Sequence, residues 1–272
     1  MLLTLSSFFE YHQKSLSSNY PGLTLDRLAR EFEDNPLSDF RNLSYQKMLL
    51  AGVPLAYIFK QCFFYDSFFY INENVLIPRL ESELLIEEAL KLLSDNMRLA
   101  EVGIGSGALS LSILKATTKK ISIVGSDISK EALNVAEINK FRLEPLLGDS
   151  KRLGLTIADR LEHITKPIDG VITNPPYIKM ESDRDAIHPQ VLNFEPEQAL
   201  FLPDKTYDLW FTDFFKDAYN KVNPGGFFLM EGHERHLKRL EGLLSSCGFE
   251  NTTIIKDLTG RDRLVKGYRS YG

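Results

Sequence analysis

The sequence predicts an α/β protein with a mostly parallel sheet, preceded by a small helical region. Apolar residues recur at helical spacing up to about Gly52, and after Pro78 short apolar strands alternate with helices. That alternation is typical of a parallel sheet. The last two candidate strands are separated only by residues 257–262, a loop too short for a crossover helix. We therefore expect these two strands to pair antiparallel.

Composition and charge restrict the class of protein. The chain has 272 residues, 43% of them hydrophobic and 25% charged, which suits one catalytic domain and a smaller unit. Its net charge of −5 argues against a protein held on nucleic acid mainly by phosphate neutralisation. Neither the two cysteines, Cys62 and Cys247, nor the five histidines have the spacing of a metal site. We expect no metal and no stable binding of nucleic acid.

Residues 1–60 are predicted to form the helical domain, with breaks at Pro21-Gly22 and Asn35-Pro36. The apolar run from Met1 to Phe9 lacks the positive region and cleavage site of a signal peptide, so it is predicted to be a retained helix. No stretch reaches the roughly 18 uncharged apolar residues that a membrane span needs. We expect a cytoplasmic protein with no membrane partner.

Residues 61–77 are predicted to form a β-hairpin linker, because two runs of strand-forming residues flank Asp66-Ser67. The α/β domain is then expected over residues 78–272. Its candidate strands are Leu99–Val102, Ile121–Gly125, Leu146–Leu147, Gly170–Thr173, Gly226–Met230, Thr252–Lys256 and Arg263–Tyr268.

A glycine-rich loop follows the first strand of this domain. Glycines there let the backbone turn sharply and approach a ligand closely. The residues expected to bind a cofactor are Glu101, Gly103, Ile104, Gly105, Ser106 and Gly107. Read through Ala108, the same loop fits a dinucleotide fingerprint, and a tight turn without a ligand is a third interpretation.

Two aspartates are candidates for the adenosine of a cofactor. Asp127 follows the second strand, and its carboxylate offers two oxygens to ribose hydroxyls, whether of NAD or of S-adenosylmethionine. It could equally cap the helix that begins near Ser129. Asp149, with Ser150 beside it, is predicted to follow the third strand and to face the adenine; a plain turn aspartate is the alternative.

The segment Asn174-Pro175-Pro176-Tyr177 follows the apolar strand that ends at Thr173. An amide or aromatic NH2 group is a poor nucleophile until acceptors hold its hydrogens, because its lone pair is delocalised. The side-chain carbonyl of Asn174 and the main-chain carbonyl of Pro175 can each accept one N–H, while the prolines stiffen the loop. The ring of Tyr177 can pack against the planar group. We predict that Asn174, Pro175 and Tyr177 are catalytic, that Pro176 helps bind the substrate, and that Asn174 also adjoins the cofactor; a rigid loop without chemistry is the alternative.

Further segments surround these motifs: Gly52–Ile58, Leu76–Arg79, Asn193–Pro196 and Asp257–Arg263. Together with the glycine loop and Asn-Pro-Pro-Tyr, they resemble the HemK/PrmC family of peptide chain release factor glutamine methyltransferases almost from end to end. The resemblance implies a Rossmann-like class I methyltransferase fold and S-adenosyl-L-methionine as cofactor, with S-adenosyl-L-homocysteine as product. It also implies methyl transfer to the side-chain amide nitrogen (N5) of the glutamine in the GGQ motif of class 1 peptide chain release factors, with the helical domain docking that protein.

Two short segments depart from the family pattern. Ser150-Lys151 stands where members often have an aromatic residue, and Glu231-Gly232-His233 has a different order from the commoner one. Neither is expected to touch the reacting centre.

Three other functions remain open on the sequence alone. A nucleic-acid amino-methyltransferase would present a flipped base to Asn174 and Tyr177 in the same way, although the acidic net charge disfavours it. An NAD-linked oxidoreductase is compatible with the glycine loop and Asp127 but leaves Asn-Pro-Pro-Tyr unexplained. A release-factor adaptor without catalysis would keep the fold.

Overall fold

The fold is described from a computed structural model, which covers residues 4–35 and 38–271 and, within them, every side chain except that of Ser150. Met1–Leu3, at the start of the first predicted helix, and Pro36, at the second predicted break, lie outside the described residues.

The first region consists of short helices around a core of their own. These are α1 (Leu5–Tyr11), α2 (Gln13–Asn19), α3 (Leu25–Glu33), α4 (Leu43–Leu50) and α5 (Leu55–Ile58). Thr4 and Thr24 cap α1 and α3, because each side chain accepts a hydrogen bond from the main-chain N–H three residues further on. Phe8, Leu28 and Leu49 are fully buried in the core between the helices.

An antiparallel hairpin follows, made of β1 (Gln61–Phe64) and β2 (Ser67–Tyr70). Its inner face is buried in the core of the α/β region, together with Tyr57 of α5. The Asn139 side chain accepts from the Tyr70 N–H at 2.6 Å and donates to the Tyr70 carbonyl at 2.9 Å. The hairpin is therefore packed against the larger core along one face and is more than a connection between two regions.

The remaining strands are β3 (Arg98–Val102), β4 (Ser122–Asp127), β5 (Leu153–Ile157), β6 (Ile168–Thr173), β7 (Ile178–Lys179), β8 (Phe201–Leu202), β9 (Val222–Glu231), β10 (Phe249–Lys256) and β11 (Asp262–Arg269). The remaining helices are α6 (Glu83–Leu92), α7 (Ala108–Ala116), α8 (Lys130–Leu147), α9 (Pro189–Phe194), α10 (Glu197–Leu200), α11 (Tyr207–Lys221) and α12 (Leu237–Ser246). β7 and β8 form a small parallel pair apart from the main sheet.

The main sheet has the order β10-β11-β9-β6-β3-β4-β5. Strand β11 is antiparallel to both of its neighbours, whereas the other pairs are parallel. This confirms the predicted fold class, including the antiparallel pair at the end of the chain. Successive side chains of each strand point to opposite faces, so β3 buries Leu99 against α6 and α7 and buries Ala100 against the face that α11 and α12 cover.

The predicted strand at Leu146–Leu147 is wrong, because both residues belong to the last turn of α8. Leu143 and Leu147 are buried at an interval of four, which is the spacing of one helix face. The third strand of the α/β region is β5, which lies at the edge of the sheet. An edge strand is only partly buried, and Gly154 interrupts its apolar pattern, so it gave a weak sequence signal.

The close packing of β4 against the glycine loop yields a stability prediction. A side-chain carbon added at Gly125 would lie 2.1 Å from the Ile104 side chain, whereas one added at Gly154 meets nothing within 4 Å. We expect Gly125→Ala to lower the free energy of unfolding by about 1–3 kcal/mol, as measured by urea denaturation. Gly154→Ala is the matched control on the neighbouring strand, and an equal loss there would contradict this account.

Candidate active site

Five parallel strands end along one edge of the sheet, at Val102, Asp127, Ile157, Thr173 and Glu231. A cavity of about 350 Å³ opens at this edge, a volume within the usual range of small-ligand sites. Among the predicted site residues, its lining contains Glu101, Gly103, Ile104, Gly105, Ser106, Asp127, Asn174, Pro175 and Pro176.

The glycine loop reaches the cavity through backbone conformations that favour glycine. Gly103, Gly105 and Gly107 have φ of 70°, 52° and 79°. A side-chain carbon added at Gly105 would meet no atom within 4 Å, so the space beside it is open to the cavity. Gly107 instead starts α7 and packs closely on Ala136 of α8. Gly103 and Gly105 thus line the cavity, whereas Gly107 permits close packing of α7 on α8.

Glu101 is fully buried behind this loop and also lines the cavity. Its carboxyl group accepts hydrogen bonds from the main-chain N–H and the hydroxyl of Ser110. Burial, and to a smaller extent the nearby carboxylate of Asp127, raise the pKa of Glu101 to about 8, against the hydrogen bonds from Ser110, which lower it.

Asp127 connects the glycine loop to the start of α8. One carboxylate oxygen accepts from the N–H of Gly105 and the other from the N–H of Ser129, both at 2.9 Å. Ser129 is itself the N-terminal cap of α8, since its hydroxyl accepts from the N–H of Ala132. Burial raises the pKa of Asp127, and these N–H donors oppose that rise. Each carboxylate oxygen retains a lone pair for a ligand hydroxyl.

Asp149 and Ser150 do not follow the third strand, contrary to the prediction from the sequence. With the third strand at β5, Asp149 precedes that strand, is exposed, and accepts from the N–H of Lys151 in a local turn. Asp149 does not line the cavity, and the Ser150 side chain lies outside the described part of the chain. Asp159 and Arg160 follow β5 and line the cavity instead.

Arg160 links this end of the cavity to α11. Its guanidinium pairs with Asp159 at 2.9 Å and lies over the Trp210 ring, 5.5 Å from the ring centroid. Trp210 also lines the cavity. Asp159 and Arg160 could have been found from the sequence if the third strand had been predicted at β5, because they follow that strand closely.

Asn174 follows β6, next to the end of β3. The hydroxyl of Thr173 donates to the Val102 carbonyl at 2.8 Å and fixes the strand end. The side-chain amide of Asn174 donates to the Ser82 hydroxyl at 3.1 Å, and Ser82 in turn donates to Glu231 at 2.5 Å. Among the described residues, no donor reaches either the side-chain oxygen of Asn174 or the carbonyl of Pro175.

Glu231 lies close to the predicted reacting residues, so the expectation that its segment stays away from them is wrong. Its other carboxylate oxygen accepts from the Tyr177 hydroxyl at 2.9 Å. The parallel register pairs Thr173 with Met230 and so brings the next residues of both strands together. Burial raises the pKa of Glu231, while the Ser82 and Tyr177 hydroxyls and Arg263 lower it. Burial and Glu231 hold the pKa of Tyr177 well above its usual value, so its hydroxyl stays a donor.

A second cavity of about 210 Å³ lies against the same Asn-Pro-Pro-Tyr segment. Asn174 and Pro175 line both cavities, whereas Tyr177 lines only the second one. The rest of its lining is mostly apolar: Leu76, Arg79, Ile178, Ala186, Ile187, His188, Val191, Ala199 and Leu200. Asn174 and Pro175 therefore lie between the two spaces.

An ion pair lies beside both cavities, and its Arg79 lines each of them. Arg79 contacts the Glu195 carboxylate at 2.5 Å, and that carboxylate also accepts from the Ile77 N–H at 3.2 Å. The Glu195 side chain is only 2% exposed. Two segments that are 116 positions apart in the chain are thus joined beside Asn174.

In residues 4–35 and 38–271, no cluster of three or more histidine, cysteine or acidic side chains is placed to hold a metal ion. Within the same ranges, no helix is both long enough and apolar enough to cross a membrane.

Comparison with known proteins shows the family of this chain. The family model described as the methyltransferase small domain matches residues 80–198. The chain is similar to the release factor glutamine methyltransferase of Leptospira interrogans, with 36% identity over 251 residues, 89% of this chain and 82% of that one. It is also similar to the enzyme of the same name from Staphylococcus aureus, with 32% identity over 229 residues, 82% of this chain and 78% of that one.

A solved methyltransferase from Pyrococcus furiosus shares the fold, with a TM-score of 0.54 and 14% identity over 74% of this chain and 88% of that one. Given its fold and the extent of its similarity to the two curated relatives, the chain belongs to the release factor glutamine methyltransferase family.

Proposed function

We propose that this enzyme transfers a methyl group from S-adenosylmethionine to the side-chain amide nitrogen (N5) of the glutamine in the GGQ motif of a class 1 release factor. The observation that carries the proposal is the position of Asn174 and Pro175 between two cavities, with their carbonyl oxygens free to accept hydrogen bonds. The names of the relatives support the same reaction and substrate.

The larger cavity suits S-adenosylmethionine. Its glycine loop leaves room for close approach, Asp127 offers carboxylate oxygens to the ribose hydroxyls, and Glu101 lies beneath the loop. Asp159 and Arg160, with Trp210, replace Asp149 and Ser150 as the candidates on the adenine side. When bound, S-adenosylmethionine supplies an activated methyl group on a positively charged sulfur and leaves as S-adenosylhomocysteine.

The residues of this chain would act by positioning the acceptor. From the second cavity, the glutamine NH2 group can donate one hydrogen to the Asn174 side-chain oxygen and the other to the Pro175 carbonyl, which directs the nitrogen lone pair toward the first cavity. The Tyr177 ring bounds the second cavity and can pack on the planar amide. The nitrogen becomes acidic only as the new bond forms, so its proton can leave to Asn174 or to water without a dedicated base.

The helical region is proposed to dock the release factor. A stable protein contact generally buries at least about 1,000 Å², far more than the second cavity offers. The helices are joined to the catalytic part beside that cavity, because the Gln190 side chain donates to the Gly52 carbonyl at 2.8 Å. Val191, one residue further on, lines the second cavity.

Removal of the Asn174 amide tests the acceptor site. We expect Asn174→Ala to reduce methylation of a purified release factor at least ~10²-fold, because the acceptor nitrogen is no longer held in line. The affinity for S-adenosylmethionine, measured by calorimetry, should stay nearly unchanged. Asn223→Ala, which removes an amide bound to Asp169 at the opposite end of β6, is the control. Transfer at the wild-type rate by Asn174→Ala would contradict the assignment.

The proposed cofactor site is tested by comparing the S-adenosylmethionine affinities of two aspartate variants. We expect Asp127→Ala to weaken S-adenosylmethionine binding by roughly 1–3 kcal/mol through loss of charge-assisted hydrogen bonds. Asp149→Ala should leave the affinity unchanged, because Asp149 is exposed and does not line the cavity. Calorimetric titration of both variants checks the pair. Equal affinities for Asp127→Ala and wild type would reduce Asp127 to a structural residue.

Truncation tests the docking role. A chain lacking residues 1–52 keeps Tyr57 and the hairpin in the large core, so we expect it to bind S-adenosylmethionine as before, with native circular dichroism as the check on folding. Its KM for an intact release factor should rise at least about tenfold because contact area is lost. A GGQ-containing peptide, which uses only the cavity, should be methylated equally poorly by both chains. An unchanged KM for the intact factor would place the docking surface elsewhere.

A further inference from the structure

A buried chain of hydrogen bonds holds the Asn-Pro-Pro-Tyr segment, and its middle member, Ser82, also lines the larger cavity. It runs from the Asn174 amide to the Ser82 hydroxyl at 3.1 Å and from Ser82 to Glu231 Oε2 at 2.5 Å. The Tyr177 hydroxyl joins the same carboxylate at Oε1, at 2.9 Å. Ser82 and Glu231 are 5% and 1% exposed, so water does not compete for these bonds.

The direction of this chain decides which end of the Asn174 amide is available. An asparagine side chain has a donor end and an acceptor end of nearly equal shape, and only the oxygen can accept an N–H from a substrate amide. The Ser82 hydroxyl has one proton. Because the Ser82 hydroxyl donates this proton in its hydrogen bond to Glu231 Oε2, Ser82 can only accept from Asn174. The amide nitrogen of Asn174 therefore points to Ser82, and its oxygen faces the cavities.

We propose that Ser82 and Glu231 are positioning residues that set the amide orientation of Asn174 and so determine that an N–H group can be held for methyl transfer. This inference rests on the proposed function. This positioning requires only that Glu231 Oε2 accepts a hydrogen bond from Ser82. Oε2 can do so whether or not Oε1 carries a proton.

One carboxylate thereby restrains both ends of the catalytic segment. Asn174 is held through Ser82, and Tyr177 is held directly, with the two rigid prolines between them. The main chain of Glu231 is fixed in turn, because Glu231 pairs with Leu264 across β9 and β11 and the next N–H donates to the Arg263 carbonyl at 3.0 Å. Small shifts of Asn174 therefore require several strong contacts to change together.

The test compares variants that remove the acceptor with one that keeps it. We expect Ser82→Ala and Glu231→Met each to lower kcat for release factor methylation about ten- to hundredfold. KM and the affinity for S-adenosylmethionine should change less than about threefold. Because both residues act through one chain, the double variant should lose much less than the product of the two single losses. Glu231→Gln should restore most of the rate lost in Glu231→Met, since its amide oxygen can accept from Ser82 while its NH2 donates to Tyr177.

A matched control separates positioning from general destabilisation. Asp169 also accepts two hydrogen bonds, from the Arg98 N–H at 2.7 Å and from Asn223 at 2.8 Å, but at the opposite edge of the sheet. Asp169→Asn should affect thermal stability without lowering kcat. The proposal is overturned if Glu231→Gln is as slow as Glu231→Met, if the two single losses multiply, or if Asp169→Asn lowers kcat equally.

A second readout does not depend on the substrate. The side-chain NH2 signals of Asn174 in the full-length protein, assigned in NMR spectra by their loss in Asn174→Ala, should exchange slowly with solvent and should exchange at least about tenfold faster in Ser82→Ala. If wild-type protein fails to methylate a release factor but shows this difference, the proposed function fails and the orientation of Asn174 stands. If exchange is equally fast in both proteins, the inference fails by itself.

Discussion

The parallel pairing of β3 with β6 is the constraint on which the site depends. Val102 and Thr173 are partners in this ladder, and the Thr173 hydroxyl binds the Val102 carbonyl. After β3 the chain continues to one side of the sheet, whereas after β6 it continues to the other, so the two following loops separate and leave a crevice. Gly103 and Asn174 face each other across it, with a carbon built on Gly103 only 3.9 Å from the Asn174 carbonyl.

Three buried carboxyl groups and one half-buried carboxyl group, that of Asp127, lie at the same edge. Glu101, Asp127, Glu195 and Glu231 each accept hydrogen bonds from main-chain N–H groups or from hydroxyl or guanidinium donors. An unsatisfied buried polar group costs about 1–3 kcal/mol, so these partners are needed for the fold to tolerate the carboxyl groups there. Burial raises the pKa of Glu101, Asp127 and Glu231. Such raised pKa values are typical of functional sites, where desolvation and specific partners occur together.

The segment between β6 and α11 forms one wall of the second cavity, and two contacts along it hold it in place. Near one end, Asp183 contacts the His236 ring at 2.7 Å, at the start of α12. Further along, Glu195 is joined to Arg79. The wall is therefore tied to two elements that are distant in sequence. A pre-formed wall reduces the ordering cost of binding a substrate side chain.

The sequence by itself determined the glycine loop, the Asn-Pro-Pro-Tyr segment and the central strands, because their signals are local: special backbone angles, rigid prolines and apolar runs buried on both faces of the sheet. It failed at β5, since an edge strand is partly exposed, and this error put Asp149 instead of Asp159 after the third strand. Only the tertiary structure decided that Ser82 and Glu231, 149 positions apart, meet beside Asn174. Their contact depends on the register of β9 against β6 and on where the chain enters α6, and no short stretch of sequence encodes either of these.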